Sequence, residues 1–251
     1  MPKPLQAQNK EYHFALGLTQ KELVCAFTAR ASGNMSLSYG ESAGVIDNRR
    51  NFLNNFNISL ESLVCAKQTH SAKIKYVKLE HQGSGALSSA SAIADTDAFI
   101  TDRKNIPLAI FTADCPAVFI YDPGKPAIGL VHCGWRSSNE NILKETLGLM
   151  QREFYSRMQD IRVSFGPAIR SCCYEVGQEL EDFFPQDLIK RNRHYYLDLP
   201  GLNKKQALAL GVKEENIFDC GICTVCQNND FFSYRKEGKA SGRMMSLAML
   251  R

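Results

Sequence analysis

Apolar residues along this chain fall into short runs separated by turn-forming residues. LVCAF (23–27) reads as a strand, and ARASGNMSLSYGESAG (29–44), rich in Gly and Ser, reads as a loop. LVCAKQTH (63–70) and KIKYVKL (73–79) read as two further strands, followed by a mobile loop over 82–94. The centre holds DAFIT, PLAIFTADC, AVFIYD and AIGLVHCGW, divided by turns such as DPGKP. These runs are apolar at both parities, which implies burial of both strand faces. IRVSFGPAI, NIFDCGI and FFSYR complete the strand pattern.

Helical spacing appears between these runs. Asp47 is placed to cap a helix through NRRNFLNNF, with Phe52, Leu53 and Phe56 on its apolar side. Ser137 and Glu140 have capping-box spacing ahead of a helix whose face is Ile142, Leu143, Leu147, Met150, Phe154 and Met158. GQELEDFF and NKKQALAL read as helices, the second stopped at Gly211. Strands and helices mix without strict alternation, which predicts an α+β fold rather than a doubly wound sheet. The expected organisation is one domain over 1–251, with 1–18 as an N-terminal extension.

Composition narrows the class. The chain has 251 residues, 44% hydrophobic and 22% charged, values that suit a globular protein with a substantial core. Its net charge of +4 fits an anionic small substrate, and no dense Lys/Arg block argues for nucleic acid. Nine cysteines, an odd number in a chain too large to need staples, argue against a disulfide framework and for a reducing compartment. The beginning MPKPLQAQNKEYHF lacks the apolar core of a signal peptide, and the longest apolar stretch, 107–121, is broken by Asp114 and Pro116. A cytoplasmic protein without membrane association is expected.

The chemistry concentrates at strand ends. TADC ends one apolar run at Cys115, VHCGWR closes the next around His132, and AKQTH ends a third at His70. Two imidazoles and one thiolate brought together would give zinc three ligands and leave a fourth position open, the pattern of a catalytic site. The same residue types also suit a thiol nucleophile with its base. Each taken singly also suits an ordinary buried Cys or a carbonyl-bonded His.

The ordered motifs QTHS, DTDAFIT, TADCPAVFIYDP, GLVHCGWR, GPAIRSCCYEVG and FFSYRKEGKASGR resemble those of the laccase-domain family. That family was first called multicopper polyphenol oxidase and is now described as purine nucleoside phosphorylase. The resemblance runs from about Arg30 to the GR at Arg243. It implies an α+β domain of β-sheet layers flanked by helices, and a zinc site formed by His70, Cys115 and His132. It also implies phosphorolysis of adenosine, inosine, guanosine and methylthioadenosine, with adenosine deaminase activity, so that nucleoside and phosphate are the partners. Ser71 replaces the usual Gly after the first His, Cys133 and Ser137 depart from HAGWRG, and Ile169-Arg170-Ser171 stands where IGP is usual. None replaces a ligand, but the bulk of Ser71, Ser137 and Arg170 is expected to reshape the pocket.

Two other reaction classes stand beside this one. One is a cysteine amidase with Cys115 as nucleophile, since some relatives are described as editing peptidoglycan precursors. The other is a copper-dependent phenol oxidase, which five histidines, His13 and His81 in expected loops, can hardly supply. Guanidinium groups grip phosphate in bidentate fashion. Among Arg30, Arg136 and Arg243, resemblance favours Arg30 as a substrate-binding residue, while Arg136 either binds substrate or braces the His132 loop. CGICTVC spaces Cys220, Cys223 and Cys226 regularly but offers no fourth local ligand, so a structural role is expected. Cys172 and Cys173, being adjacent, look awkward for joint chelation. Trp135 serves packing or purine stacking.

Overall fold

A computed structural model describes residues 12–15, 17–18, 21–39 and 42–251. The strands of its first half are β1 (Tyr12–Phe14), β2 (Leu23–Thr28), β3 (Val64–Cys65), β4 (Ile74–Tyr76), β5 (Ala98–Thr101) and β6 (Leu108–Thr112). They continue with β7 (Ala117–Asp122), β8 (Ala127–His132), β9 (Arg162–Phe165), β10 (Glu175–Val176), β11 (Leu188–Arg191) and β12 (His194–Leu197). β13 (Ile217–Asp219) and β14 (Met244–Leu250) complete the set. The helices are α1 (Ser42–Asn54), α2 (Trp135–Asn139), α3 (Ile142–Phe154), α4 (Leu199–Ala209) and α5 (Tyr234–Glu237).

A five-stranded sheet has the order β1-β2-β14-β6-β3, a six-stranded sheet the order β13-β9-β7-β8-β5-β4, and a small sheet the order β10-β12-β11. The two large sheets pack face to face. In β7, Phe119 and Tyr121 enter the core shared with β2, β6 and β14, while Val118 and Ile120 meet Leu143, Leu147 and Met150 of α3. In β14, Met244, Ala248 and Leu250 face the inter-sheet core, while Met245, Leu247 and Met249 pack with Phe52 and Leu53 of α1. The layers run helix, sheet, sheet, helix, and the central strands are buried on both sides. This is the α+β domain of helix-flanked sheets that was expected.

Several local expectations change. Helix α1 begins at Ser42, so Asp47 lies inside it and pairs with Arg50 at 3.0 Å instead of capping. The helix expected from Ser137 to Met158 is two: Asn141, at φ 59°, separates α2 from α3, and Met158 falls in a later 3-10 turn. There is no capping box there. Ser137 Oγ donates to the carbonyls of His132 and Gly134, and a Glu140 carboxylate oxygen accepts from the Ala72 N–H. GQELEDFF forms only a 3-10 turn, and FFSYR leads into α5, where Ser233 Oγ caps by accepting from Lys236 N–H.

The segment 82–94, expected to be mobile, is held down. Buried Arg49 donates to the carbonyls of Gly85 and Ala86, and Cys65 N–H donates to that of Ser84. His13 and His81, expected in loops, lie in β1 and a 3-10 turn. β1 also places part of the expected N-terminal extension inside the sheet, while residues 1–11 lie outside the described residues. Among the described residues, no helix is long and apolar enough to cross a membrane.

Candidate functional site

The site is assembled around one buried carboxylate. Asp97, just ahead of β5, accepts hydrogen bonds from the backbone N–H groups of Thr69, His70 and Ser71 at 2.9–3.0 Å and from Ser71 Oγ at 3.0 Å. It also bonds His132 Nδ1 at 2.8 Å, while its own carbonyl accepts the His132 N–H. One side chain thereby fixes the loop carrying the first histidine and the ring of the second. This arrangement leaves Nε2 of His132 for chemistry, as a carboxylate behind a ligating histidine does. The loop is held from the other side by Gln68, whose amide exchanges hydrogen bonds with the Phe111 N–H and carbonyl and so prolongs the β3–β6 pairing. His70 itself adopts φ 60°, a left-handed geometry enforced by those bonds.

Cys115 sits in the turn from β6 to β7, after Asp114 with φ 91°. That turn is pinned by Thr224 Oγ1 and the Arg235 N–H, both donating to the Asp114 carboxylate at 2.6 Å. His132 closes β8, and its register opposite Ala117 brings it to the same sheet edge as Cys115. The ring centroids of His70 and His132 are 4.7 Å apart. Ligand atoms of His70, Cys115 and His132 all lie within 4.8 Å of one another. Gly134 permits this closeness, because a Cβ there would stand 2.7 Å from His70 Cδ2 and 3.5 Å from Cys115 Sγ.

These groups perturb one another. Burial opposes ionisation of Cys115, yet hydrogen bonding to His132 and His70 brings its thiol down to about 6. Burial likewise disfavours the charged form of His132, yet Asp97 and Cys115 raise it to about 9. Burial also resists charge on Asp97, but the bonds to His132 and the loop hold it at about 2. Two imidazoles and a readily formed thiolate on an open cavity wall could hold a metal ion. This set of two nitrogens and one sulfur suits zinc, with copper also accommodated.

The cavity above the triad has a volume of about 820 Å³. Aromatic side chains of Tyr39, Phe111, Trp135, Tyr174 and Tyr234 line it, with Arg235, Lys239 and Arg243 supplying positive charge. The structure does not bring Arg30 to this wall. Its guanidinium pairs with Glu237 at 2.8 Å, donates to the Asn228 and Phe231 carbonyls, and lies over Phe232. Arg136 is exposed, stacks 4.3 Å from the ring centroid of its neighbour Trp135, and does not line the cavity. Arg243 does reach the cavity, 3.8 Å over the Tyr39 ring.

Ser71, Ser137 and Arg170, the departures expected to reshape the pocket, do not line the cavity. Ser71 bonds Asp97, Ser137 is buried behind the turn, and Arg170 pairs with Asp219. Trp135 lines the cavity and also packs 5.7 Å from Phe183.

Sequence reasoning missed Asp97 and three cations lining the cavity, Lys67, Arg235 and Lys239, although it had singled out Arg243. The DTDAFIT motif contained Asp97, but a carboxylate before a buried strand has no spacing rule that marks it. It also missed a second cluster. Cys172, Cys173, Cys223 and Cys226 place all four sulfurs within 4.8 Å of one another. The expectation that CGICTVC lacks further ligands is corrected, because the adjacent pair Cys172–Cys173 supplies them. Cys220 stands apart from this group.

The sequence model of a family described as multi-copper polyphenol oxidoreductase laccase matches residues 16–251. The purine nucleoside phosphorylase YlmD of Geobacillus stearothermophilus is 34% identical over 226 residues, covering 86% of this chain and 82% of that one. The adenosine deaminase RL5, from an unknown prokaryotic organism, is 28% identical over 208 residues, covering 79% of each. The crystal structure of YlmD from Geobacillus stearothermophilus superposes over 100% of both chains with a TM-score of 0.94 at 30% identity. From its matched motifs, its layered fold and its His-Cys-His cluster, the chain belongs to the laccase-domain family.

Proposed function

We propose that this protein is a zinc-dependent purine nucleoside phosphorylase with adenosine deaminase activity. The observation that carries the reading is a single cavity lined by three kinds of group: the cluster of His70, Cys115 and His132, aromatic rings, and cations including Arg235, Lys239 and Arg243. The names of the relatives YlmD and RL5 support the two activities.

His70, Cys115 and His132 would hold the metal, and Cys115 suits this because its thiol is already depressed to about 6. Zinc held there supplies Lewis acidity and activates water at neutral pH. Asp97 keeps the His132 ring oriented and its Nδ1 proton in place, so that Nε2 faces the cavity as a donor of electrons. Arg243 and Arg235 would bind phosphate through charge-assisted hydrogen bonds and neutralise it as it approaches the sugar. In phosphorolysis a phosphate oxygen forms a bond to the anomeric carbon, the bond from that carbon to the purine nitrogen breaks, and the purine leaves with its electron pair. In deamination the oxygen of water replaces the exocyclic amine, which leaves as ammonia. Tyr39, Trp135, Tyr174 and Tyr234 offer ring faces for the purine. Burial pushes the Tyr174 phenol well above its ordinary range, so it stays protonated and available as a donor.

The test is a product assay with inosine, with and without phosphate. Hypoxanthine and ribose 1-phosphate formed only with phosphate are the expected products. Base release at equal rate without phosphate, yielding free ribose, would remove phosphorolysis from the reading.

One observation favours a second reading. Cys115, His132 and Asp97 line up as nucleophile, base and orienting carboxylate, which is the arrangement of a cysteine hydrolase. Under that reading the substrate is an amide such as a peptidoglycan precursor, and alkylation of Cys115 abolishes turnover in protein stripped of metal. Copper oxidation finds less support, because the remaining histidines stand apart: His81 bonds Lys78, His194 bonds Glu175, and His13 packs against Phe27 and Phe231.

A further inference from the structure

A second thiol cluster lies outside the cavity lining, and the proposed reaction uses none of its four cysteines. Cys172 and Cys173 follow Arg170 in the loop after β9, and Cys223 and Cys226 occupy the loop after β13. An isolated parallel bridge between Ala168 and Cys223 ties the two loops together. The Cys226 sulfur is 3.8 Å from that of Cys172 and 3.4 Å from that of Cys173. A tetrahedral ion bound at about 2.3 Å by four sulfurs separates them by about 3.8 Å. A disulfide would bring one pair to about 2.0 Å and leave the other two sulfurs without a role.

Local chemistry supports ligation. The spacing Cys223-x-x-Cys226 is that of one half of a zinc knuckle. The backbone N–H groups of Cys226, Arg170 and Val225 bond the Cys223 sulfur. The surroundings suit the doubly negative centre that zinc with four thiolates forms, because Arg170, Arg191 and Arg235 border it. Arg191 donates to the Ser171 carbonyl, Arg235 to the Cys173 carbonyl, and Arg170 to that of Ile222.

We infer that Cys172, Cys173, Cys223 and Cys226 form a second, structural zinc site that ties the loop after β9 to the loop after β13. The site has a path to the cavity. Thr224, inside the knuckle, donates to the carboxylate of Asp114, and Asp114 precedes Cys115. Ile169, just ahead of the adjacent cysteines, donates its N–H to the Asp114 carbonyl. Closing the four-sulfur site therefore holds the turn that presents Cys115.

The test is zinc content and coordination in the full-length chain, purified anaerobically. The double variant Cys115→Ala/His132→Ala isolates the four-sulfur site by removing ligands of the other. It should retain one equivalent of zinc, and its zinc X-ray absorption should show four sulfur neighbours and no nitrogen. Adding Cys223→Ser and Cys226→Ser to it should remove that equivalent. If the quadruple variant does not fold, replacing zinc by cobalt(II) in the double variant decides instead, because four thiolates around tetrahedral cobalt give intense visible absorption with sulfur-to-metal charge transfer. Absence of zinc from the double variant, or a mass lower by one disulfide with no cobalt spectrum, would overturn the inference.

Discussion

The two sulfur-bearing clusters of this protein are built in opposite ways. His70, Cys115 and His132 sit at the edges of sheets whose hydrogen-bond register sets their positions, and one carboxylate, Asp97, organises two of the three. Cys172, Cys173, Cys223 and Cys226 sit on loops joined by one isolated bridge, with no carboxylate or imidazole among their sulfurs. The first cluster opens onto a cavity of about 820 Å³, and the second does not line it. A framework that fixes donors before the metal arrives leaves a coordination position for substrate. A cluster that the metal itself closes uses all four positions to hold loops together. The first arrangement suits reaction, and the second suits bracing.

The contrast breaks most sharply with ligand removal. Cys115→Ala should lower phosphorolysis by at least about a thousandfold, because Lewis-acid stabilisation of several kcal/mol is lost at about 1.4 kcal/mol per decade. Cys226→Ser should lower the thermal midpoint while keeping at least about a tenth of the activity, since it acts only through the brace on Asp114. Equal loss in the two variants, measured by initial rates with inosine and phosphate, would remove the distinction between the clusters.

Asp97→Asn sharpens it next. This variant keeps the shape but weakens the hold on His132 Nδ1, and should reduce zinc affinity at the His-Cys-His cluster about 10–100-fold. Competition with a chelator measures it, and the four-sulfur cluster should release its zinc as in the unmodified protein.

A smaller effect separates the arginines. Arg243→Ala should raise the phosphate concentration needed for half-maximal rate by about tenfold, the loss of one charge-assisted contact. Arg30→Ala should leave that concentration within about twofold, because its guanidinium is committed to Glu237 and to carbonyls outside the cavity. Phosphate dependence of inosine cleavage in both variants decides between them.

The pH response of metal-free protein is the finest test. The Cys115 pKa of about 6 lies below its ordinary value, so the thiolate persists above that pH and is lost as pH falls through it. His132, raised to about 9, keeps its proton below that pH and loses it above. The thiolate–imidazolium pair is therefore fully formed between about 6 and about 9. Iodoacetamide labelling of Cys115 should show a midpoint near 6, whereas a midpoint near that of an ordinary thiol would show that the histidines do not act on it.

How much of this was legible in the sequence follows the same division. Strands β5 to β8 are apolar at both parities and bounded by turns, so their burial and the positions of Cys115 and His132 at their ends could be read directly. β14 could not. MMSLAML contains no β-branched residue, and its Met, Leu and Ala favour helix, yet it fills the middle of the five-stranded sheet because both its faces are apolar. Asp97 was hidden because three of its bonds are to backbone N–H groups, which leave no mark on residue types, and its histidine partner lies thirty-five residues away. The preference for Arg30 over Arg243 could not be checked in the sequence, since the ion pair that diverts Arg30 to Glu237 spans more than two hundred residues. The four cysteines come from two loops about fifty residues apart, and the parallel pairing of β9 with β13, prolonged by the bridge at Cys223, makes them neighbours.

The central claim is that the His-Cys-His cluster, loaded with zinc, carries out phosphorolysis. Its most direct measurement is the rate of ribose 1-phosphate formation from inosine and phosphate as zinc is removed from the protein and returned. The account predicts that activity vanishes on removal and recovers with zinc in the unmodified chain, and does not recover in Cys115→Ala. Undiminished ribose 1-phosphate formation by Cys115→Ala, or by the stripped protein, would contradict it.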